Sequence, residues 1–311
     1  MMQWKWIFIS IALLILAAIG AYVAFDPEQQ TLDERARTRL GGTYLALADG
    51  VTHYQLAGPA DGPAVVLVHG ATVPMWTWDH LTASLAASGY RVLRYDKYGR
   101  GYSDRPATDY NRGLYKRQLR ELVDRLGLKT PFDLIGLSMG GATAVNFAAQ
   151  YPERVRKLVL IAPVIHDFEV PAAFRIPVVG EFAARLVGIR FIVNRFADLL
   201  AAIPDFDTYH RLFIEQTTYR GFQQSLLSMI RGDALGNYDA AYRTVGRQKR
   251  DTLLVWGTHD AEITRDMIDD VREYIPGVRF KKVENTGHGI VFQKPELIRR
   301  TIVDFLQRHQ I

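Results

Sequence analysis

The stretch Phe132-Asp133-Leu134-Ile135-Gly136-Leu137-Ser138-Met139-Gly140-Gly141-Ala142 restricts the fold of this chain more than any other. A short apolar run of strand character enters Gly136-Leu137-Ser138-Met139-Gly140, and the helix-compatible run Ala142 to Gln150 follows. That order predicts a serine held on a sharp strand-to-helix turn. The glycines at 136 and 140 leave room for a turn whose central residue is strained, and Gly141 lets the helix approach neighbouring strands closely. The Ser138 hydroxyl is then expected to stand clear of the sheet, as a nucleophile must.

The rest of the chain supplies a sheet for this turn. Residues 43–47 and 52–56 alternate around Ala48-Asp49-Gly50 and read as an antiparallel hairpin. Residues 64–68, 91–95, 157–162 and 252–256 are apolar strands of the buried, parallel kind, and a further strand is read over 279–283. Helices are predicted over 78–87, 114–126, 142–151, 265–274 and 295–308. This alternation calls for a mostly parallel, doubly wound sheet covered by helices on both faces. With 311 residues, 48% of them apolar and 23% charged, the chain can bury one large core, and one domain with an insertion fits best.

Charge and cysteine usage narrow the function. A formal charge of +5 is small for this length, and Arg243, Arg247, Lys249 and Arg250 lack interleaved aromatics, so they read as a solvated face and not as a nucleic-acid site. With no cysteine there is no disulfide framework, thiolate nucleophile or zinc–thiolate site. The eight histidines show no metal-ligand spacing, so neither a metal nor a cofactor is expected.

Residues 6–25 form an uncharged run rich in Ile, Leu and Ala, which as a helix spans roughly 30 Å of hydrocarbon. Trp4 and Trp6 at one end and Tyr22 and Phe25 at the other suit the two interfaces of a bilayer. An uncleaved membrane anchor over 1–25 is the favoured reading, with a cleaved signal peptide as the alternative. The basic residues on its two sides leave the orientation open. Asp26-Pro27 ends the run, and a polar linker is expected over 26–41.

Taken together, the serine turn, His69-Gly70 after the 64–68 strand, Asp260 and Gly287-His288 resemble the α/β-hydrolase superfamily, over nearly all of residues 42–311. The resemblance implies an α/β-hydrolase core over 42–163 and 248–311. It also implies a helical cap over 164–247, whose apolar character suggests an apolar acyl or aromatic group beneath it. It implies an oxyanion hole made by the backbone N–H groups of Ala71 and Met139, two fixed donors for the charge that develops in the transition state. His69 itself reads as a buried histidine bonded to backbone. The turn Asp96 to Ser103 reads as structural, because Asp104 stands where a dinucleotide loop needs its third glycine.

A serine needs a base, and the base needs a carboxylate to orient it. The chain order of the family, serine then acid then histidine, points to Ser138, Asp260 and His288, the last two on loops beyond the carboxyl ends of strands. Asp167 and Glu262 are the rival acids. The expected activity is serine hydrolysis of an apolar ester or lipid, and the anchored chain is similar to membrane-bound monoacylglycerol lipases. A carbon–carbon bond hydrolase acting on meta-cleavage products uses the same three residues and is the second reading. A non-catalytic binding protein built on a hydrolase fold is the reading from another class. Oligomeric state is not legible in the sequence.

Overall fold

The computed structural model describes residues 2–200, 203 and 205–308. Residues 1, 201, 202, 204 and 309–311, which fall within the expected anchor, cap and core ranges, lie outside the described residues. The strands are β1 (Thr43–Leu47), β2 (Gly50–Ala57), β3 (Ala64–Val68), β4 (Arg91–Tyr95), β5 (Phe132–Leu137), β6 (Val155–Ile161), β7 (Thr252–Gly257) and β8 (Arg279–Val283). They form one sheet in the order β1-β2-β4-β3-β5-β6-β7-β8. The pairs β1–β2 and β2–β4 are antiparallel, and every later pair is parallel.

Period-two alternation gives each central strand two apolar faces. In β3, Ala64, Val66 and Val68 enter one core layer while Val65 and Leu67 enter the other. The helices Arg112–Arg125, Met139–Gln150, Asp239–Arg247 and Arg265–Tyr274 cover the first layer, and Asp79–Ala87 and Pro295–Gln307 cover the second. This is the α/β-hydrolase fold expected from the sequence, with β5 between β3 and β6 near the middle of the sheet.

The turn after β5 departs from the sequence reading by three residues. The helix begins at Met139, not Ala142, because Ser138 alone takes up the change of direction, at φ 53° and ψ −122°. Such a conformation costs a non-glycine residue of the order of 1–3 kcal/mol and persists only where its surroundings hold it. Here the Ser138 N–H donates to the Ile161 carbonyl at 2.9 Å, and the Ser138 carbonyl accepts from Gly141 and Val164 at 2.8 and 3.1 Å. The glycines are required by contact: a Cβ on Gly140 would lie 2.1 Å from the Val68 carbonyl oxygen, and one on Gly136 would lie 2.3 Å from that of Gly140. Both obstacles are backbone, which has nowhere to move. Gly140→Ala is therefore expected to destabilise the fold by about 1–3 kcal/mol, the range of an overpacked core. A urea midpoint equal to that of the wild type would show that β3 and this helix are not so closely apposed.

Residues 26–41 also differ from expectation, being tied to the body of the protein. Glu34–Leu40 is a helix, capped by the Asp33 carboxylate on the Ala36 N–H at 2.8 Å. Gln30 forms a bridge with Tyr219. The helix Phe222–Arg231 starts after Gly221, which has no side chain with which to cap it, and the Glu28 carboxylate accepts from the Gly221 and Gln223 amides instead, at 2.8 and 2.5 Å. A polar composition concealed the contacts of Gln30 and Glu28 because their partners lie far away in sequence.

The N-terminal helix Met2–Ala24 includes an apolar stretch, Trp4–Ala24, long enough to cross a membrane, as an anchor or a signal sequence is, and none of it is buried in the protein. At its end, the Tyr22 ring packs on Phe182 and beneath the Arg185 guanidinium. Between β6 and β7 the chain forms helices, among them Ile189–Leu200 and Phe206–Thr217. Phe196 and Phe213 stack at 4.1 Å between these two, and Trp76 stacks on Tyr209 at 5.0 Å.

Candidate active site

Ser138 and His288 are 150 residues apart in the chain, and Asp260 and His288 are 28 apart, yet the sheet brings all three side chains together. Ser138 directly follows β5, the loop after β7 carries Asp260, and the loop after β8 carries His288. The β7 loop winds around its own carboxylate. Asp260 Oδ1 accepts the Glu262 and Ile263 amides, each at 2.9 Å, which leaves Oδ2 to face His288 Nδ1 at 2.8 Å. A carboxylate only accepts, so the proton of the neutral imidazole belongs on Nδ1. His288 Nε2 is then free to accept from the Ser138 hydroxyl, 3.1 Å away. All three groups lie within hydrogen-bond reach of their neighbours.

The loop after β3 lies against the serine: a Cβ on Gly70 would sit 3.5 Å from Ser138 Cβ. His69 is fully buried, with Nδ1 donating to the Gly70 carbonyl at 2.9 Å and Nε2 accepting the Lys97 amide at 2.8 Å. Burial, then the nearby Lys97 and Arg100, push its pKa well below the usual range, so it stays neutral. Two side chains outside the loop hold its carbonyls. Buried Arg100 donates to Ala71 O at 2.6 Å, and Gln216 donates to Thr72 O at 3.0 Å. Among the described residues, neither the Ala71 nor the Met139 amide donates to a backbone carbonyl.

The family described as alpha/beta hydrolase fold matches residues 63–295, from β3 to the start of the last helix. The chain belongs to that family. A 2-hydroxy-6-oxo-6-phenylhexa-2,4-dienoate hydrolase of Comamonas testosteroni is 28% identical over 286 residues, covering 84% of this chain and 93% of the relative. Carboxylesterase YbfK of Bacillus subtilis is 27% identical over 272 residues, covering 85% of this chain and 86% of the relative. In fold, the chain is similar to an enol-lactonase from Burkholderia xenovorans LB400, with a TM-score of 0.73 at 22% identity, covering 86% of this chain and all of that one. The protein is thus an enzyme of the α/β-hydrolase class.

The electrostatics of this hydrolase centre on the imidazole. Burial pushes the His288 pKa down, but the hydrogen bond it donates to Asp260 and the charges of Glu262 and Asp260 outweigh burial and the opposing Arg195, leaving it above the ordinary histidine value. Of the rival acids, Asp167 is exposed beside Gly236, and among the described residues the carboxylates paired with the His288 ring are those of Asp260 and Glu262. Glu262 lies closer, with Oε2 3.7 Å from His288 Nε2 and its other oxygen paired with Arg195 of the helix Ile189–Leu200. The turn Asp96 to Ser103 has the structural role expected of it: buried Asp96 accepts from His53 at 2.8 Å, Met75 at 2.8 Å and Tyr102 at 2.9 Å. The roles of Arg100, Gln216 and Arg195 were not visible in the sequence. Each acts on a partner distant in the chain, and no local pattern marks it.

Proposed function

We propose that the protein is a serine hydrolase that cleaves carboxylic esters with apolar acyl groups, as a carboxylesterase or monoacylglycerol lipase does. The observation that carries this reading is the continuous hydrogen-bond chain from Ser138 Oγ through His288 to Asp260, at 3.1 and 2.8 Å. Ser138 attacks the ester carbonyl while His288 Nε2 takes its proton, and Asp260 stabilises the imidazolium that results. The amides of Ala71 and Met139 donate to the oxyanion. His288 then passes its proton to the departing alcohol, and in the second half activates water to free the acid from Ser138.

Residues 164–247 act in this reading as a cap over the site. The helix Ile189–Leu200 reaches it directly, since a Cβ on Gly289, next to His288, would lie 3.4 Å from the Leu199 carbonyl oxygen. The aromatic cluster of Trp76, Phe196, Tyr209, Phe213 and Phe292, built from cap helices and the two site loops, is suited to an acyl chain. Exposed Ile176, Val178, Val187 and Phe191 lie on the same insertion that packs against the end of the N-terminal helix at Tyr22. That arrangement favours a protein held at a membrane by residues 1–25, with a lipid or other apolar ester as its substrate.

Carbon–carbon bond hydrolysis is the second reading, favoured by the Comamonas testosteroni relative. Its named dienoate substrate is an anion and calls for a cation in the pocket. Arg195, the guanidinium linked to the triad, is already engaged by Glu262. The two readings part on substrate. The detergent-solubilised protein is expected to hydrolyse p-nitrophenyl esters, with kcat/KM rising from short to medium chains, and to leave a vinylogous 1,5-diketone unchanged. Turnover of the diketone in preference to the esters would replace the first reading with the second.

A further inference from the structure

One group beside the triad has no part in the mechanism above. Glu262 follows Asp260 by two residues, and its position is fixed because its own amide is bonded to Asp260 Oδ1 at 2.9 Å. Its Oε2 stands 3.7 Å from His288 Nε2, the ring nitrogen that also faces Ser138 Oγ at 3.1 Å. Asp260 lies at the opposite nitrogen, so the imidazole has a carboxylate on each side. The second oxygen of Glu262 belongs to Arg195, which comes from the cap helix Ile189–Leu200 and not from the core.

We propose that Glu262 is a second carboxylate for His288, acting as a positioning residue, and that Arg195 sets how much of its charge the imidazole meets. The pair would couple the cap to the base. With the cap seated, Arg195 draws the Glu262 charge to itself and His288 can be neutral, ready to accept the Ser138 proton. With the cap lifted, Arg195 departs with its helix, and the whole Glu262 charge faces Nε2. A proton there is then stabilised and competes with the Ser138 hydroxyl for the same nitrogen. The base is held as imidazolium until a substrate has been covered, so hydrolysis is confined to the closed enzyme.

The charged and titratable groups that face the ring are Asp260 and Glu262 from the β7 loop and Arg195 from the cap, with Ser138 from the turn after β5. Their signs define the test. Because the base works only when neutral, activity falls as pH drops through the His288 pKa, and that acidic limb reports the pKa directly. Glu262→Gln removes a negative charge and is expected to move the limb of kcat/KM to lower pH by about one unit, the order expected for an opposite charge within roughly 4–6 Å of the ring. Arg195→Gln is expected to move it the other way, to higher pH. In the Glu262→Gln background the Arg195→Gln shift should shrink, because most of the arginine's effect passes through the glutamate.

The full-length protein and a p-nitrophenyl ester serve for all the profiles. A variant that only loosens the loop or the cap lowers kcat at every pH and leaves the limb in place. An unmoved limb in Glu262→Gln, or an Arg195→Gln shift of equal size in both backgrounds, overturns the proposal. The inference rests on His288 being the base, and His288→Ala separates the two ideas. An active His288→Ala enzyme sinks the triad reading itself, whereas an inactive one with an unmoved Glu262→Gln limb sinks only the coupling.

Discussion

Ser138→Ala is expected to lower kcat for a p-nitrophenyl ester by about 10⁶-fold, the loss seen when a triad serine is removed elsewhere. Removing the hydroxyl eliminates the acyl-enzyme route, and what survives is the binding and oxyanion stabilisation that gives about 10³–10⁴-fold over water. The fold should be untouched. Alanine at 138 faces the same φ of 53°, held by the same bonds to Ile161, Gly141 and Val164, so the melting temperature should stay close to that of the wild type. Kinetics and a thermal melt on the same preparation test both parts, and a variant that keeps more than a hundredth of wild-type kcat would mean that another group attacks the ester.

Asp260→Asn should be the second most damaging change, at about 10⁴-fold in kcat, and the reason is a forced tautomer. Asp260 Oδ1 receives two amide donors, from Glu262 and Ile263 at 2.9 Å each, so an asparagine must place its carbonyl oxygen there. Its NH₂ then points at His288 Nδ1, where Oδ2 now accepts at 2.8 Å. The ring must answer with a lone pair on Nδ1, which puts its proton on Nε2, and Nε2 can no longer take one from Ser138. Asp167→Asn changes an exposed carboxylate with no link to the ring and should keep near-normal turnover. If Asp167→Asn were the inactive variant and Asp260→Asn the active one, the acid assigned here would be the wrong residue.

How much of this was legible in the chain depended on whether the signal was local. Gly136, Ser138 and Gly140 lie within five residues between a strand-like and a helix-compatible run, so the turn was readable even though the helix start, and the contact of Gly140 with Val68 of β3, were not. That start, at Met139, depends on a single residue at positive φ held by carbonyls and amides of β6 and its following loop, which no residue in the turn announces. Asp260 and His288 could be picked out because the chain order of the family, serine then acid then histidine, points to loops beyond the carboxyl ends of the strands read over 252–256 and 279–283. Glu262 was visible only as a rival acid. Its place beside Nε2 depends on how the β7 loop wraps around Asp260, and its pairing with Arg195 depends on where the cap helix comes to rest. The docking of residues 26–41 was hidden for a similar reason, since Glu28 caps a helix that begins almost two hundred residues later.

The claim on which the account turns is that Ser138 becomes acylated. Quenching the wild-type protein in acid during turnover of a p-nitrophenyl ester, digesting it with trypsin and weighing the peptide spanning residues 130–154 measures this directly. The account predicts that peptide carrying one acyl group on Ser138, and a larger acylated fraction when the quench is made early at saturating ester. An unmodified peptide under conditions of full turnover, or the acyl group on a different residue, would contradict it.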